Sequence, residues 1–195
     1  TNTLQSAGIL VTPNVNVVDQ IQGGVLTVGP ATTSAGELVI QQFSQTAGFI
    51  IGSTIANRTV APAIANVGLQ KLGPGVLALT GANTYTGITT IAGGTLMAGT
   101  LTDGGVASSV GQATFAAANI VIGGGTLEYT GESTAINRSL TVKEFGALNV
   151  GDEDMTLTLA GDEVLGGAGR GVGDSGTAFW DKTGAGTLRL LRKET

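Results

Sequence analysis

The 195 residues carry nine Lys and Arg against fourteen Asp and Glu, a net charge of −5, with no histidine and no cysteine. A nucleic-acid partner is disfavoured, because phosphate contact needs clustered basic residues, and histidine- or thiol-based catalysis is excluded outright. With 33 glycines and only 12% charged residues, the composition belongs to strands and turns rather than to helices or charge-driven disorder.

In chain order, residues 1–68 predict short strands at 9–11, 15–18, 25–28 and 38–40, separated by Pro13-Asn14, Gly23-Gly24 and Gly29-Pro30. Phe43, the run 49–51 and Ile55 continue the pattern in a wider turn. Ala61-Pro62-Ala63 interrupts any ladder, since proline has no N–H to donate, and reads as a loop or an edge.

The clearest unit is Leu69-Gln-Lys-Leu-Gly-Pro-Gly-Val-Leu-Ala-Leu-Thr-Gly-Ala-Asn-Thr-Tyr-Thr-Gly-Ile-Thr-Thr-Ile-Ala-Gly-Gly-Thr-Leu96, which reads as strand, turn, strand, turn, strand. Its phrase of glycine, small residue, leucine or valine, any residue and apolar residue is echoed from Gly24, Gly36, Gly75, Gly94, Gly125, Gly146 and Gly186. From Gly75 to Gly94, and from Gly125 to Gly146, the step is about 20 residues, within the solenoid range; the wider step from Gly36 to Gly75 predicts two turns or an insertion.

Residues 97–123 predict a lateral excursion, with turns at Gly104-Gly105 and Ser108-Ser109 and alanine support for one helical turn at 113–118. From 125 onward apolar residues alternate: Leu127 and Tyr129, Leu140 and Val142, Leu148 and Val150, then Met155, Leu157 and Leu159. Period two predicts half-buried strands, with Thr126, Glu128, Thr141, Lys143, Thr156 and Thr158 facing solvent.

These patterns predict an all-β chain folded as a right-handed parallel β-helix, a β-solenoid. Each turn leaves its backbone donors and acceptors open, and the next turn, stacked about 4.8 Å above, pairs them while extending an aliphatic column. At some 22 residues per turn the chain accommodates roughly eight or nine turns in one segment spanning 1–195. Residues 1–68 form divergent turns, 69–96 the clear repeat, 97–181 further turns with a lateral loop, and 182–195 the incomplete start of a second repeat.

Residues 69–96 resemble the autotransporter-associated β-strand repeat of Gram-negative passenger regions. Lys71-Leu-Gly-Pro-Gly-Val-Leu-Ala-Leu, Asn83-Thr-Tyr-Thr-Gly87 and Gly93-Gly-Thr-Leu96 carry the likeness, and a second copy begins at Lys182-Thr-Gly-Ala-Gly-Thr-Leu-Arg-Leu190. Residues 97–181 resemble the spacers between such repeats, and 1–68 match only in style. The second copy stops at Leu191-Arg-Lys-Glu-Thr195, short of the Asn-Thr-Tyr-Thr-Gly turn, and the chain contains no run of strands long enough for a translocator barrel. The resemblance implies an extracellular passenger on the bacterial surface, and its repeats imply help in vectorial folding during secretion. The start at Thr1-Asn-Thr-Leu reads as a mature or excised segment.

No residue is assigned as catalytic, cofactor-binding or metal-binding. Asp152, Glu153, Asp154, Asp162 and Glu163 fit solvated turns beside Gly151 and Gly161; calcium is the alternative if adjacent turns converge. The run from Gly166 to Asp174 lacks a repeated calcium phrase and reads as a loop, and no helix follows it to make a dinucleotide site. A pair of carboxylates is the only common acid–base device left, and in a polysaccharide-cleaving β-helix Asp152, Asp154 and Asp174 would line the groove and supply it. Trp180 reads as a core plug, and Thr84, Thr86, Thr89, Thr90 and Thr95 as strand threonines rather than an ice-binding array. Arg189, Arg192 and Lys193 read as charges protecting a terminal strand. Asn57-Arg-Thr59 and Asn137-Arg-Ser139 are coincidental matches to a glycosylation pattern.

The expected function is therefore structural: a stiff stalk or fibre segment that supports adhesion, pairing with neighbouring repeats of a longer chain or with itself head to tail. The expectation includes no cofactor, no nucleic acid and no membrane span, since no apolar run approaches the roughly 20 residues needed to cross a bilayer.

Overall fold

The computed structural model describes residues 2–4, 8–28, 36–60, 63–143, 145–161 and 181–191. Strand β1 (Asn2–Leu4) is followed by three strands of a first full rung: β2 (Gly8–Val11), β3 (Asp19–Ile21) and β4 (Val25–Val28). The second rung is β5 (Gly36–Gln42), β6 (Phe49–Ile51) and β7 (Thr54–Ile55), then a hairpin of β8 (Arg58–Val60) and β9 (Ala63–Ala65). The repeat contributes β10 (Val67–Leu72), β11 (Val76–Leu79), β12 (Thr89–Ile91) and β13 (Thr95–Ala98). After a loop come β14 (Ile120–Ile122), β15 (Thr126–Tyr129), β16 (Thr134–Ile136), β17 (Thr141–Val142), β18 (Ala147–Val150) and β19 (Thr156–Leu159). Strands β20 (Asp181–Thr183) and β21 (Thr187–Leu190) complete the described chain.

These strands sort into stacks. A six-stranded sheet runs β2-β5-β10-β12-β14-β17 and a seven-stranded sheet β3-β6-β11-β13-β15-β18-β20, with all neighbours parallel. Two three-stranded parallel sheets, β1-β4-β7 and β16-β19-β21, take the third position of the early and late rungs. The hairpin β8–β9 is antiparallel. The described residues are all-β apart from a short 3₁₀ turn at Ala117–Asn119, close to where alanines predicted helical character.

Parallel strands in register stack like on like. In the six-stranded sheet the inward column runs Ile9, Ile40, Lys71, Ile91, Ile122, Val142. In the seven-stranded sheet Phe49, Leu77, Leu96, Leu127 and Leu148 form one column, and Ile51, Leu79, Ala98, Tyr129 and Val150 another. All ten of the latter are buried. Each buried aliphatic side chain contributes about 1.5–3 kcal/mol, so one such column stabilises the stack more than any surface contact does.

Two expectations need correction, and a third is decided between its alternatives. The seven-stranded sheet counts seven rungs among the described residues, not eight or nine, because the hairpin and the loop after β13 consume residues without adding rungs. The wide step from Gly36 to Gly75 holds an insertion rather than two turns: it is one rung enlarged by that hairpin, and the echo also changes sheet, from β5 to β11. Residues 15–18 are not a strand: β3 starts at Asp19, and Val17 and Val18 are 65% and 57% exposed. An apolar pair beside a turn looks like a strand in sequence but sits at a corner here.

The corners explain the glycines. Gly94 has φ +61, and a Cβ there would lie 2.4 Å from the Gly75 carbonyl oxygen of the rung below. The pairing of Thr126 with Ala147 puts Gly124 and Phe145 at the same corner of successive rungs, and both have positive φ, 95 and 62. Phe145 is the one non-glycine with positive φ among the described residues, and it is 78% exposed. Replacing it with glycine relieves a left-handed strain and is expected to raise stability by about 1 kcal/mol, measured as a higher urea midpoint at unchanged slope.

Candidate functional site

Of the acidic residues singled out in the sequence, the three described ones lie on one corner. Asp152, Glu153 and Asp154 are exposed in the turn between β18 and β19. With Thr130, Glu132 and Ser133 from the preceding rung, Asp152 and Asp154 line an open cleft together with Gly99, Gly131 and Met155. Among the described residues no group of three or more acidic side chains is placed to hold a metal ion. Asp162, Glu163, the run from Gly166 to Asp174, and Trp180 lie outside the described residues, as do Arg192 and Lys193. Arg189 is exposed on β21, opposite Thr158.

The threonines separate. Thr89 points inward and is fully buried, Thr84, Thr90 and Thr95 are half-buried, and Thr86 is exposed, so they form no flat array. Thr158, expected to face solvent, is 7% exposed because Ala135 and Arg189 flank it on the adjoining strands.

The residues that organise the repeat are polar and buried, and alternation alone did not reveal them. Lys71 occupies an inward isoleucine position with no exposed surface. Its Nζ donates to the carbonyls of Leu72 at 3.1 Å, Gly73 at 2.8 Å and, one rung on, Gly93 at 3.0 Å. Burial holds its pKa at about 8, well below the ordinary value of 10.5. Lys182, which opens the second copy, donates in the same way to Gly184 at 2.7 Å and also to Gly186. Yet β20 stacks on β18 in the seven-stranded sheet, whereas β10 belongs to the six-stranded one. The Lys-X-Gly-X-Gly corner is therefore a local device that works on either sheet. Its recurrence at 71 and 182 was the available sequence signal.

The Asn-Thr-Tyr-Thr-Gly turn serves a second junction. Asn83 is fully buried; its Oδ1 accepts the Ile55 N–H at 2.8 Å, and its Nδ2 donates to the Ser109 carbonyl at 2.8 Å. Tyr85 fills the interior, and its hydroxyl shares a 2.7 Å hydrogen bond with Thr89. Burial pushes the Tyr85 phenol far above its ordinary pKa. The Thr86 hydroxyl donates to Asn66 Oδ1 at 3.1 Å and accepts from Asn57 Nδ2 at 2.8 Å, which ties together the two ends of the hairpin insertion. Asn57 is thus a structural amide of the hairpin base.

On the other side of the turn, the loop after β13 is packed rather than splayed: Leu101, Ser108, Ser109 and Val110 are buried. Arg138, 1% exposed, holds it through four backbone carbonyls. Nε donates to Thr102 at 2.8 Å, and Nη2 reaches Asp103 at 3.4 Å, Val106 at 3.0 Å and Gly111 at 2.9 Å. Desolvation lowers the guanidinium pKa, against the opposing pull of Tyr85 and Asp103.

Parallel strands stacked rung on rung around a glycine-cornered repeat define a protein of the stacked-repeat, solenoid-like class. Residues 69–98 match the family described as Passenger-associated-transport-repeat. Over 192 residues, 97% of the chain, the sequence is 35% identical to "Adhesin BmaC autotransporter" of Brucella suis biovar 1 (strain 1330) and spans 5% of that protein. No solved structure matches. The chain thus carries one passenger-associated transport repeat and is similar along nearly its whole length to part of an autotransporter adhesin, and its location is the bacterial cell surface. Among the described residues no helix is long and apolar enough to cross a membrane, which says nothing of a β-barrel.

Proposed function

We propose that this chain is a segment of a right-handed parallel β-helix that serves as a stiff stalk in a much longer surface protein and supports adhesion by other parts of it. The observation that carries the reading is the unbroken register of the seven-stranded sheet from Asp19 to Thr183. A continuous hydrogen-bonded ladder along the stacking axis resists bending and extension. Right-handedness follows from the general rule that crossovers between parallel strands of one sheet are almost always right-handed. The relative's name as an adhesin supports the adhesion role.

Electron microscopy of the purified chain over a concentration series, with and without calcium, tests this reading. Short monomeric rods are the result expected of a stalk segment. Long unbranched fibres would instead mean head-to-tail pairing, and globular particles would overturn the solenoid. The alternative of a polysaccharide-cleaving enzyme rests on Asp152, Asp154 and Asp174. Cleavage of a polysaccharide panel that is lost when all three are neutralised would replace the stalk reading; the expected result is no cleavage at all.

A further inference from the structure

We propose that residues 99–111 form a strap that opens as a unit on the assembled rod and covers a strand edge, with Arg138 as its pin. In the early rungs the third position is taken by β4 and β7, and after β7 the Asn83–Tyr85 stretch continues that ladder through the Thr84 and Tyr85 amides, which donate to the Ile55 carbonyl at 2.9 and 3.2 Å. There the parallel ladder stops. The next partner is the strap, joined to Asn83 by an antiparallel bridge to Ser108. The Asn83 N–H donates to the Ser108 carbonyl at 2.9 Å, and the Ser108 N–H returns to Asn83 at 3.3 Å. Parallel pairing in the third position resumes only at β16.

The strap is held from the far side by residues just after β16. The Asn137 N–H donates to Asp103 Oδ1 at 2.8 Å, Asn137 Oδ1 accepts the Gly104 N–H at 2.8 Å, and Arg138 gathers four strap carbonyls. All the acceptors of this guanidinium are backbone carbonyls, and its buried Nη1 has no hydrogen-bond partner. A buried cation with one orphan donor carries a desolvation cost that water returns as soon as the strap lifts. Opening therefore exchanges the strap's contacts for full hydration of Arg138. Internal bonds let the strap move as one piece: the Thr100 N–H donates to Ser109 Oγ at 3.0 Å, and the Ser109 N–H to the Thr100 carbonyl at 3.1 Å. Its C-terminal end is Gly111 at φ +82, a position where the backbone turns without a side-chain penalty. Once lifted, it exposes the Asn83 backbone as an unpaired strand edge.

Hydrogen exchange of the full 195-residue chain, wild type against Arg138→Met, tests this. Exchange at Asn83, Ser108, Ser109 and Gly111 is expected to rise at least tenfold, while Leu77, Leu96, Leu127 and Leu148 keep wild-type rates. A rise shared by the long sheets would make Arg138 an ordinary core residue, and an unchanged strap would show that it is not the pin; either overturns the proposal. If Arg138→Met does not fold, the double variant Asp103→Ala/Asn137→Ala removes only the tip contacts. It is expected to speed exchange several-fold within 99–111 alone, and uniform or absent change again overturns the strap.

Discussion

Replacing Lys71 with methionine is expected to destabilise the chain by about 3 kcal/mol, although methionine fits an isoleucine column better than a lysine does. Two effects oppose each other. Methionine removes the cost of burying an ammonium, and exchanges of this kind are often neutral when nothing else loses a partner. Here the carbonyls of Leu72, Gly73 and Gly93 lose their charged donor together. Bonds from charged groups are worth about 1.5–3 kcal/mol each, so three of them outweigh the relief. Because Gly93 lies one rung beyond Lys71, the loss falls between rungs and slackens the stack itself. A chemical denaturation midpoint at neutral pH decides the matter: an unchanged or higher midpoint would mean that other donors or water serve those carbonyls.

The same lysine sets a pH signature. Its folded pKa of about 8 lies below the ordinary 10.5, so above pH 8 the folded side chain is neutral while the unfolded one still holds its proton. The unfolded state then binds more protons, and stability contributed by this group rises with pH until the unfolded lysine also titrates. Tyr85 and Tyr129 act in the opposite sense, because burial raises both phenols and the unfolded state loses their protons first; their contribution falls above about pH 10. Wild-type stability attributable to Lys71 is therefore expected to climb between pH 8 and 10, and Lys71→Met is expected to lack that climb. Denaturation of both proteins at pH 7.5, 9 and 10 measures it, and parallel curves would contradict the buried position.

The parallel stack was legible because its signals are local and repeated. Gly75, Gly94, Gly125 and Gly146 each precede a strand of the seven-stranded sheet, and the alternation of Leu127 with Tyr129 or Leu148 with Val150 gives the inward face directly. Where the same phrase moved sheet, as at Gly24, Gly36 and Gly186, sequence gave the strand but not its neighbour, since register depends on how many residues the intervening corner takes. The junction residues were hidden for a different reason. Lys71, Asn83 and Arg138 are buried because backbone carbonyls and amides far away in sequence need partners, and hydropathy ranks all three as surface residues. Only the repetition of Lys-X-Gly-X-Gly marked one of them.

Substituting Asn83 with leucine is expected to cost about 3 kcal/mol, since it leaves the Ile55 N–H and the Ser109 carbonyl without partners in a site closed to water. Asn83→Asp separates shape from chemistry. At neutral pH its carboxylate still accepts from Ile55 but faces the Ser109 carbonyl with no proton to offer, so it is expected to be at least as damaging as leucine. Protonated, the acid has one acceptor and one donor, the same pair the amide presents. Its folded pKa is accordingly raised above the ordinary value of about 3.9, the folded state binds the extra proton, and stability falls as pH rises through that range. The aspartate variant is thus expected to approach wild type near pH 4 and to fall away by pH 7, while the leucine variant stays low at both. Equal midpoints for the aspartate variant at the two pH values would mean that the Asn83 amide does not join the end of the early ladder to the strap.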